Sequence, residues 1–468
     1  MTIRRAMLPA VLPLALLALV VVAGSQPPAT AQGKKLVVWW NKGYYPEEDD
    51  AMIKIAKSFG ASHGVDVELS FTAQEDLLKK IISALIARRV PDVAFCFYND
   101  WEVVPKFGWE DRLADVSDVV ADYRPRYFEK FLAVANIWNN TEKKRSFYGV
   151  PVEAQTMHIH YWRDLVREAG LPDDPAKIPL KWDAYWGFWR RAQDALRKKD
   201  PAKYRNVFGI GMTESTRATD TLYDFEMALL SFGGQILSDD GKIVADQPKD
   251  RAAIVRTLAW FGELFKSGYV PPDALNWTDG DNNAGFHAHS LVMTPNPSLS
   301  IPAKEFFTNR DNYFTRTATV EWPDGPDGRK PTYLVAVKTI IVPKDSPNQA
   351  LAKEFIRYVL EPPRLLEYIK AANGRWFPAF TDLAKDPFFR TGHSQGVERD
   401  YHIPVAARIF LDRQTKVFDH ARHPAYSQVY AENVYGKAMA RIIVDKWTPE
   451  QATDEAIGRI KTIFAQYR

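Results

Sequence analysis

The stretches LVVWWNKGYY (36–45), GVDVELSFTAQEDLLKKII (64–82) and PDVAFCFYND (91–100) decide the fold class. Leu36 to Trp40 is a short apolar run of strand length. Met52, Ile55, Ala56 and Phe59 then recur at helical spacing, with Gly60 just past that face. Val65, Val67, Leu69 and Phe71 alternate with Asp66, Glu68 and Ser70, the period of a strand with one wet face. Leu77, Leu78, Ile81, Ile82, Leu85 and Ile86 form an amphipathic helical stripe, and Pro91 interrupts before the strand Val93 to Phe97. Strand, helix, strand, helix, strand within about sixty residues predicts an α/β unit, doubly wound on a parallel sheet.

Beyond it helices dominate. Trp162, Leu165, Val166 and Ala169 precede Gly170, a C-cap glycine; Tyr185 to Leu196 and Ile254 to Phe265 repeat the helical stripe. Thr332 to Val342 reads as a late strand. Ser346-Pro347-Asn348-Gln349 and Thr448-Pro449-Glu450-Gln451 each place a hydroxyl N-cap, a proline and a Gln as helix starts do. No Gly/Ser linker separates domains, which suits two lobes that share discontinuous segments and are joined by hinges.

The 468 residues are 46% hydrophobic and 25% charged, a globular profile that excludes disorder, collagen-like repeats and a polytopic membrane protein. A net charge of only +3 gives no reason to expect a nucleic-acid partner. Arg4 and Arg5, an apolar run from Ala6 to Ala23 and Ala29-Thr30-Ala31 form a signal peptide over 1–31, cleaved near Ala31. The mature chain is expected in the periplasm. Cys96 is alone, so neither an intramolecular disulfide nor a cysteine metal site is available.

Neither a serine-nucleophile elbow, a phosphate-cradling loop nor a zinc-protease motif occurs. His158 and His160, and His287 and His289, could pair toward a metal with Glu153 or Asp281, or be ordinary hydrogen-bonded histidines; no third ligand lies at a telling spacing, so no metal or cofactor is expected. Ligands of doubly wound folds bind beyond the carboxyl ends of strands. Those ends carry Trp40, Asn41, Tyr44 and Tyr45, then Gln74, then Asn99 and Asp100. Trp39, in opposite phase to Trp40, is read as core. Flat aromatic faces beside amides and carboxylates match a pyranose, which has an apolar C–H face and a hydroxyl rim. The Asp/Asn-rich loop Asn276–Asn283 holds Trp277, and Gly374–Pro378 holds Trp376, both indoles available for the same purpose. Arg217, Arg375 and Lys338 could add an anion site.

Taken together, these residues resemble the extracellular solute-binding proteins of carbohydrate ABC importers, the group of maltose- and glycerol-3-phosphate-binding proteins. The likeness is carried in order by Gly64–Glu68, Leu78–Ile81, Pro91–Val93, Tyr148–Glu153, His160–Leu165, Glu168–Pro172, Lys181–Asp183, Gly233–Ile236 with Asp240–Gly241, Lys266–Pro272, Val342–Ser346 and Ala352–Ile356. It departs at Phe286–Met293, where histidines flank a position usually small, and Ala379–Val417 matches nothing. The resemblance implies a two-lobed periplasmic-binding-protein fold. Lobe 1 would take 34–152 plus 320–370 and lobe 2 would take 153–319 plus 371–468. It carries ligand contacts onto Trp40, Tyr44, Tyr45, Gln74, Asn99, Asp100, Glu153, the loop with Trp277, Asp279, Asp281 and Asn282, and also Asn296 and Trp376. The function implied is non-catalytic: a monomer captures a sugar or polyol and delivers it to a membrane permease. The alternatives are a secreted hydrolase using Asp100 and Glu153, a binder of a non-sugar solute, and a metal-dependent exported protein.

Overall fold

The computed structural model describes residues 34–467, so the signal-peptide segment lies outside the described residues. In chain order the first elements are β1 (Lys34–Asn41), α1 (Pro46–His63), β2 (Val65–Thr72), α2 (Gln74–Ala87) and β3 (Val93–Phe95). Both β2 and β3 pair parallel to β1, as the alternating periods predict. A hairpin of β4 (Asn136–Asn139) and β5 (Lys144–Phe147) leads to β6 (Val150–Thr156) and β7 (His158–Trp162). The remaining strands are β8 (Phe208–Ile210), β9 (Leu291–Asn296), β10 (Thr317–Val320), β11 (Tyr333–Ile341), β12 (Phe377–Pro378) and β13 (Thr415–Val417).

These strands form two main sheets. The first runs β12-β6-β11-β3-β1-β2, with β13 also on β11; the second runs β10-β7-β9-β8. Only Met157 separates β6 in the first sheet from β7 in the second. The chain returns between β10 and β11 and crosses again after β13 into the C-terminal helices of the second core. Those repeated crossings replace the linker that the sequence lacks.

Each sheet has its own core. Leu36, Val38, Trp40, Phe95, Val335 and Val337 fill the first, and Tyr161, Trp162, Trp186, Trp189, Met293 and Trp322 belong to the second. Trp40, expected at the cleft, is instead a core residue, stacked on Phe95 with ring centroids 4.4 Å apart, and its indole N–H donates to Tyr368 at 3.2 Å. Trp39, on the opposite face, is half-buried against a smaller core with Leu77 and Ile81 of α2, beneath the Lys80 ammonium 3.8 Å from its ring centroid. Alternation sorts residues between faces, and here both faces of β1 are covered.

Helix starts follow their caps unevenly. At Thr448 both halves of the capping box form, with Thr448 Oγ1 accepting from the Gln451 N–H and Gln451 Oε1 accepting from the Thr448 N–H. Ser346 instead donates to Asp92 at 2.7 Å, and its helix begins at Gln349.

The stretch after residue 370, expected in the second lobe, brings Trp376, Phe377, Phe389, Ile403 and Phe410 into the first core. Phe377 and Phe410 stack 4.3 Å apart. The same stretch reaches the edge strand of the second sheet. The Thr319 N–H donates to the Tyr401 carbonyl at 3.1 Å, Thr319 Oγ1 meets His402 Nδ1 at 2.7 Å, and Tyr313 Oη donates to Asp400 at 2.6 Å.

Because Trp40 is 1% exposed, Trp40→Ala should cost about 3–5 kcal/mol of unfolding free energy in urea titrations. Trp39→Ala, which removes a half-buried ring and a cation–π contact, should cost less, about 1–3 kcal/mol.

Candidate functional site

The strand ends of the two sheets face each other across a cavity of about 200 Å³. On the first-lobe side Tyr44 follows β1, Gln74 opens α2, and Phe97, Tyr98 and Trp101 follow β3. Lys338 projects from β11 beside a register shift between Lys338 and Thr339, the kind of bulge that re-aims a side chain. Arg375 and Trp376 come from the loop before β12. The second-lobe side is built from Thr219, Asp220 and Tyr223 at a helix start, from Asp279 and Asn283, and from Asn296 to Ser300 after β9.

The lobes touch across this cavity. Tyr45 Oη donates to the Ser300 carbonyl at 2.6 Å, Tyr98 Oη to Asp279 Oδ2 at 3.3 Å, and Gln155 Nε2 to Tyr223 Oη at 2.6 Å. Trp101, carried by the first lobe, packs 5.2 Å from the Tyr223 ring and belongs to the second core.

Burial dominates the charges. Lys338 donates to the Phe97 carbonyl at 2.7 Å and meets Asp100 at 3.5 Å. Opposite charges should raise the lysine and lower the acid, yet burial lowers Lys338 and pushes Asp100 up to about 6. Arg375 pairs with Glu48 at 3.3 Å, and the Trp376 N–H donates to the same carboxylate at 3.3 Å. Its guanidinium also lies 4.5 Å from the Trp376 ring centroid and 4.9 Å from that of Phe97. Glu153 is fully buried with both oxygens unpartnered, and burial holds it well above the usual carboxylate range. Across the cavity burial and then the neighbouring Asp279 push Asp220 up. Asp279 rises too, despite bonds from Thr219, the Asp220 N–H and Tyr98.

Of the residues expected to touch ligand, Tyr44, Gln74, Asp279, Asn296 and Trp376 line the cavity. The others do not. Trp40 and Trp277 sit in separate cores, and a crevice nonetheless lies between the lobes. Asn41 is buried and accepts from the Phe97 N–H, while Tyr45 serves the contact between lobes. Asn99 turns inward to the Ala94 and Thr339 carbonyls. Asp100 and Glu153 are fully buried, Asp100 meeting Lys338 and Glu153 lying opposite Lys338 on the neighbouring strand. Asp281 accepts from the Thr278 N–H at 2.6 Å, closing its own loop, and Asn282 donates to Asp220 and the Pro295 carbonyl. One wide helical turn, Asn99–Val103, explains the exchange after β3: it sends Tyr98 and Trp101 to the cavity and their amide and acid neighbours inward. Gln155, Asp220 and Tyr223 were missed; Asp220 and Tyr223 lie on a helix whose sequence carries no strand-end signal. Lys338 and Arg375 reach the cavity, whereas Arg217 does not line it.

His158 and His160 stack with ring centroids 6.1 Å apart. His160 lies between Thr319 Oγ1 at 2.9 Å and the Ser298 carbonyl at 3.1 Å, and among the described residues His158 has no partner on either ring nitrogen. His287 pairs with Glu305 at 2.6 Å, and His289 stacks on Trp162 with centroids 3.6 Å apart. Burial holds both His160 and His402 down to about 3.

Residues 54–395 match the family model of bacterial extracellular solute-binding proteins. The chain belongs to that family. A Brucella abortus (strain 2308) protein described as a binding protein is 22% identical over 352 residues, 73% of this chain and 72% of its own length. Among solved structures, an ABC transporter solute-binding protein of Thermotoga lettingae bound to tagatose shares 20% identity at a TM-score of 0.73. The alignment covers 92% of this chain and 99% of that one. Maltose-bound MalE3 of T. maritima shares 17% at 0.71, again over 92% and 99%. The GacH receptor of Streptomyces glaucescens, solved empty and with acarbose, shares 14% at 0.72 over 93% and 100%. At these identities the likeness is one of fold: this solute-binding protein has the two-lobed architecture.

Lys338→Met leaves Asp100 buried and unpaired, so it should cost about 3 kcal/mol, and the pair Asp100→Asn/Lys338→Met should recover at least half; urea unfolding in a double-mutant cycle measures both. A pH effect follows from His402. The unfolded ring takes its proton near 6.5 and the folded ring only near 3, so its contribution is lost as pH falls through that window. The stability advantage of wild type over His402→Asn should therefore shrink by roughly 1 kcal/mol per pH unit below 6.5.

Proposed function

We propose that this solute-binding protein captures a sugar or sugar-like polyol in the interlobe cavity and hands it to the permease of an ABC importer. The observation that carries the reading is a single cavity lined from both lobes by aromatic rings and by amides and hydroxyls. Tyr44, Phe97, Tyr98, Trp101, Tyr223 and Trp376 offer faces for C–H surfaces; Gln74, Gln155, Asn283, Asn296 and Ser298 suit a hydroxyl rim. Solute-binding structures of this fold hold tagatose, maltose, laminaribiose and ribitol. A cavity of about 200 Å³ is below the ~300–1,000 Å³ of drug-sized sites, which favours a monosaccharide or short polyol over an oligosaccharide.

Ligand that contacts both walls stabilises the closed arrangement, because only closure supplies both sets of contacts. In this reading the protein works as a monomer in the periplasm after cleavage near Ala31. Lobe 1 is built on the first sheet and lobe 2 on the second. The ligand leaves chemically unchanged. The hydrolase reading is disfavoured because Asp100 and Glu153 are both fully buried behind the wall, where neither could flank a scissile bond.

A panel of monosaccharides and polyols in a thermal-shift screen tests the proposal. At a hundredfold excess over Kd the ligand adds about 2.7 kcal/mol, enough to raise Tm by several degrees. Trp376→Ala should weaken binding at least about tenfold by calorimetry, given that a stacked ring contributes roughly 1 kcal/mol or more beyond its buried area. Turnover of a panel member, or no shift with any of them, would sink the reading.

A further inference from the structure

The two walls of the cavity differ in what they leave unsatisfied. On the first-lobe wall both cations already have acids: Lys338 has Asp100, and Arg375 has Glu48. The second-lobe wall holds Asp220 and Asp279, with Asp224 and Glu214 buried near them, and among the described residues no lysine or arginine forms an ion pair with any of these four.

The acceptors there are unequally used. Asp279 uses both oxygens: Oδ1 accepts from the Asp220 N–H at 3.1 Å, and Oδ2 accepts from Thr219 at 2.7 Å and Tyr98 at 3.3 Å. Asp220, 4% exposed, uses only Oδ2, which accepts from Asn282 at 3.2 Å. Asn283, 8% exposed, also lines the cavity, and among the described residues its buried side-chain oxygen has no partner. Asp220 and Asn283 thus bring two under-used acceptors to one wall of the cavity, which Tyr98 and Tyr223 also line. An acceptor left unmade in a buried site is costly, and a carboxylate crowded by another carboxylate is more so.

We propose that the natural ligand carries a protonated amine beside its hydroxyls, an amino sugar or amino polyol of monosaccharide size, with the ammonium against Asp220 and Asn283. An ammonium has three donors, no acceptor and the missing charge. It fits this wall where a hydroxyl would supply one donor and no charge. A sugar acid or sugar phosphate is disfavoured, because the cations that could take it are already neutralised and the opposite wall repels it. The inference rests on the sugar-capture reading and narrows it.

The test is calorimetry on the full chain with matched pairs: glucosamine against glucose, galactosamine against galactose, mannosamine against mannose, with glucuronate and galacturonate as acidic members. At least one amine should bind about tenfold or more tightly than its neutral partner, the scale of a charge-assisted hydrogen bond. Asp220→Asn should bring that ratio to near one. Asn283→Leu, which leaves the carboxylates in place, should lower it severalfold, and circular dichroism reports whether either variant is folded. Neutral sugars binding as tightly as their amines, an acidic member binding best, or a ratio unchanged in both variants would overturn the amine inference while leaving sugar capture standing. Failure of every member to bind would overturn both.

Discussion

The backbone passes from one sheet to the other at Met157, with β6 on one side of that residue and β7 on the other, and both strands are interior to their sheets. β6 lies between β11 and β12, and β7 lies between β9 and β10. A single buried residue cannot act as a loose tether, so the two sheets face one another in a narrow range of orientations. Their strand ends then share one crevice. Without this crossing the aromatic and polar tips would belong to two unrelated surfaces, and residues as distant as Tyr98 and Asp279 would have no reason to meet.

Within that crevice desolvation outweighs pairing. Lys338 and Asp100 attract, yet each is shifted toward its neutral form because the ends of β3 and β11 bury both. Such a pair contributes little net stability and is costly to break singly. It does hold the β11 bulge against the Phe97 carbonyl and so fixes one wall in place. Among the described residues the carboxylates of the opposite wall have no such internal cation, so the two walls differ in charge balance.

The fold was legible where hydrophobic period and length agreed, as in β1 through β3 with their two helices and in the box at Thr448. It was less legible where one pattern fits two outcomes. Alternation could not say that both faces of β1 are covered, which leaves Trp40 expected at the cleft although, like Trp39, it packs against a core. The strand-end rule pointed to the tips that line the cavity, but a single wide turn decides which side chains of Tyr98 to Trp101 face it, and no period exists over so few residues. Trp277 looked conspicuous in a polar loop, yet it plugs the second core beneath that loop. Asp220 and Tyr223 left no trace because their helix is apolar or buried almost all round, which hides which residues meet the other lobe.

The stretch around Asp400–Phe410 anchors its rings under the first sheet and its backbone against β10, the edge strand of the second. The edge it covers is therefore closed to pairing with another chain. The same stretch ties the two sheets together a second time, independently of the crossing at Met157.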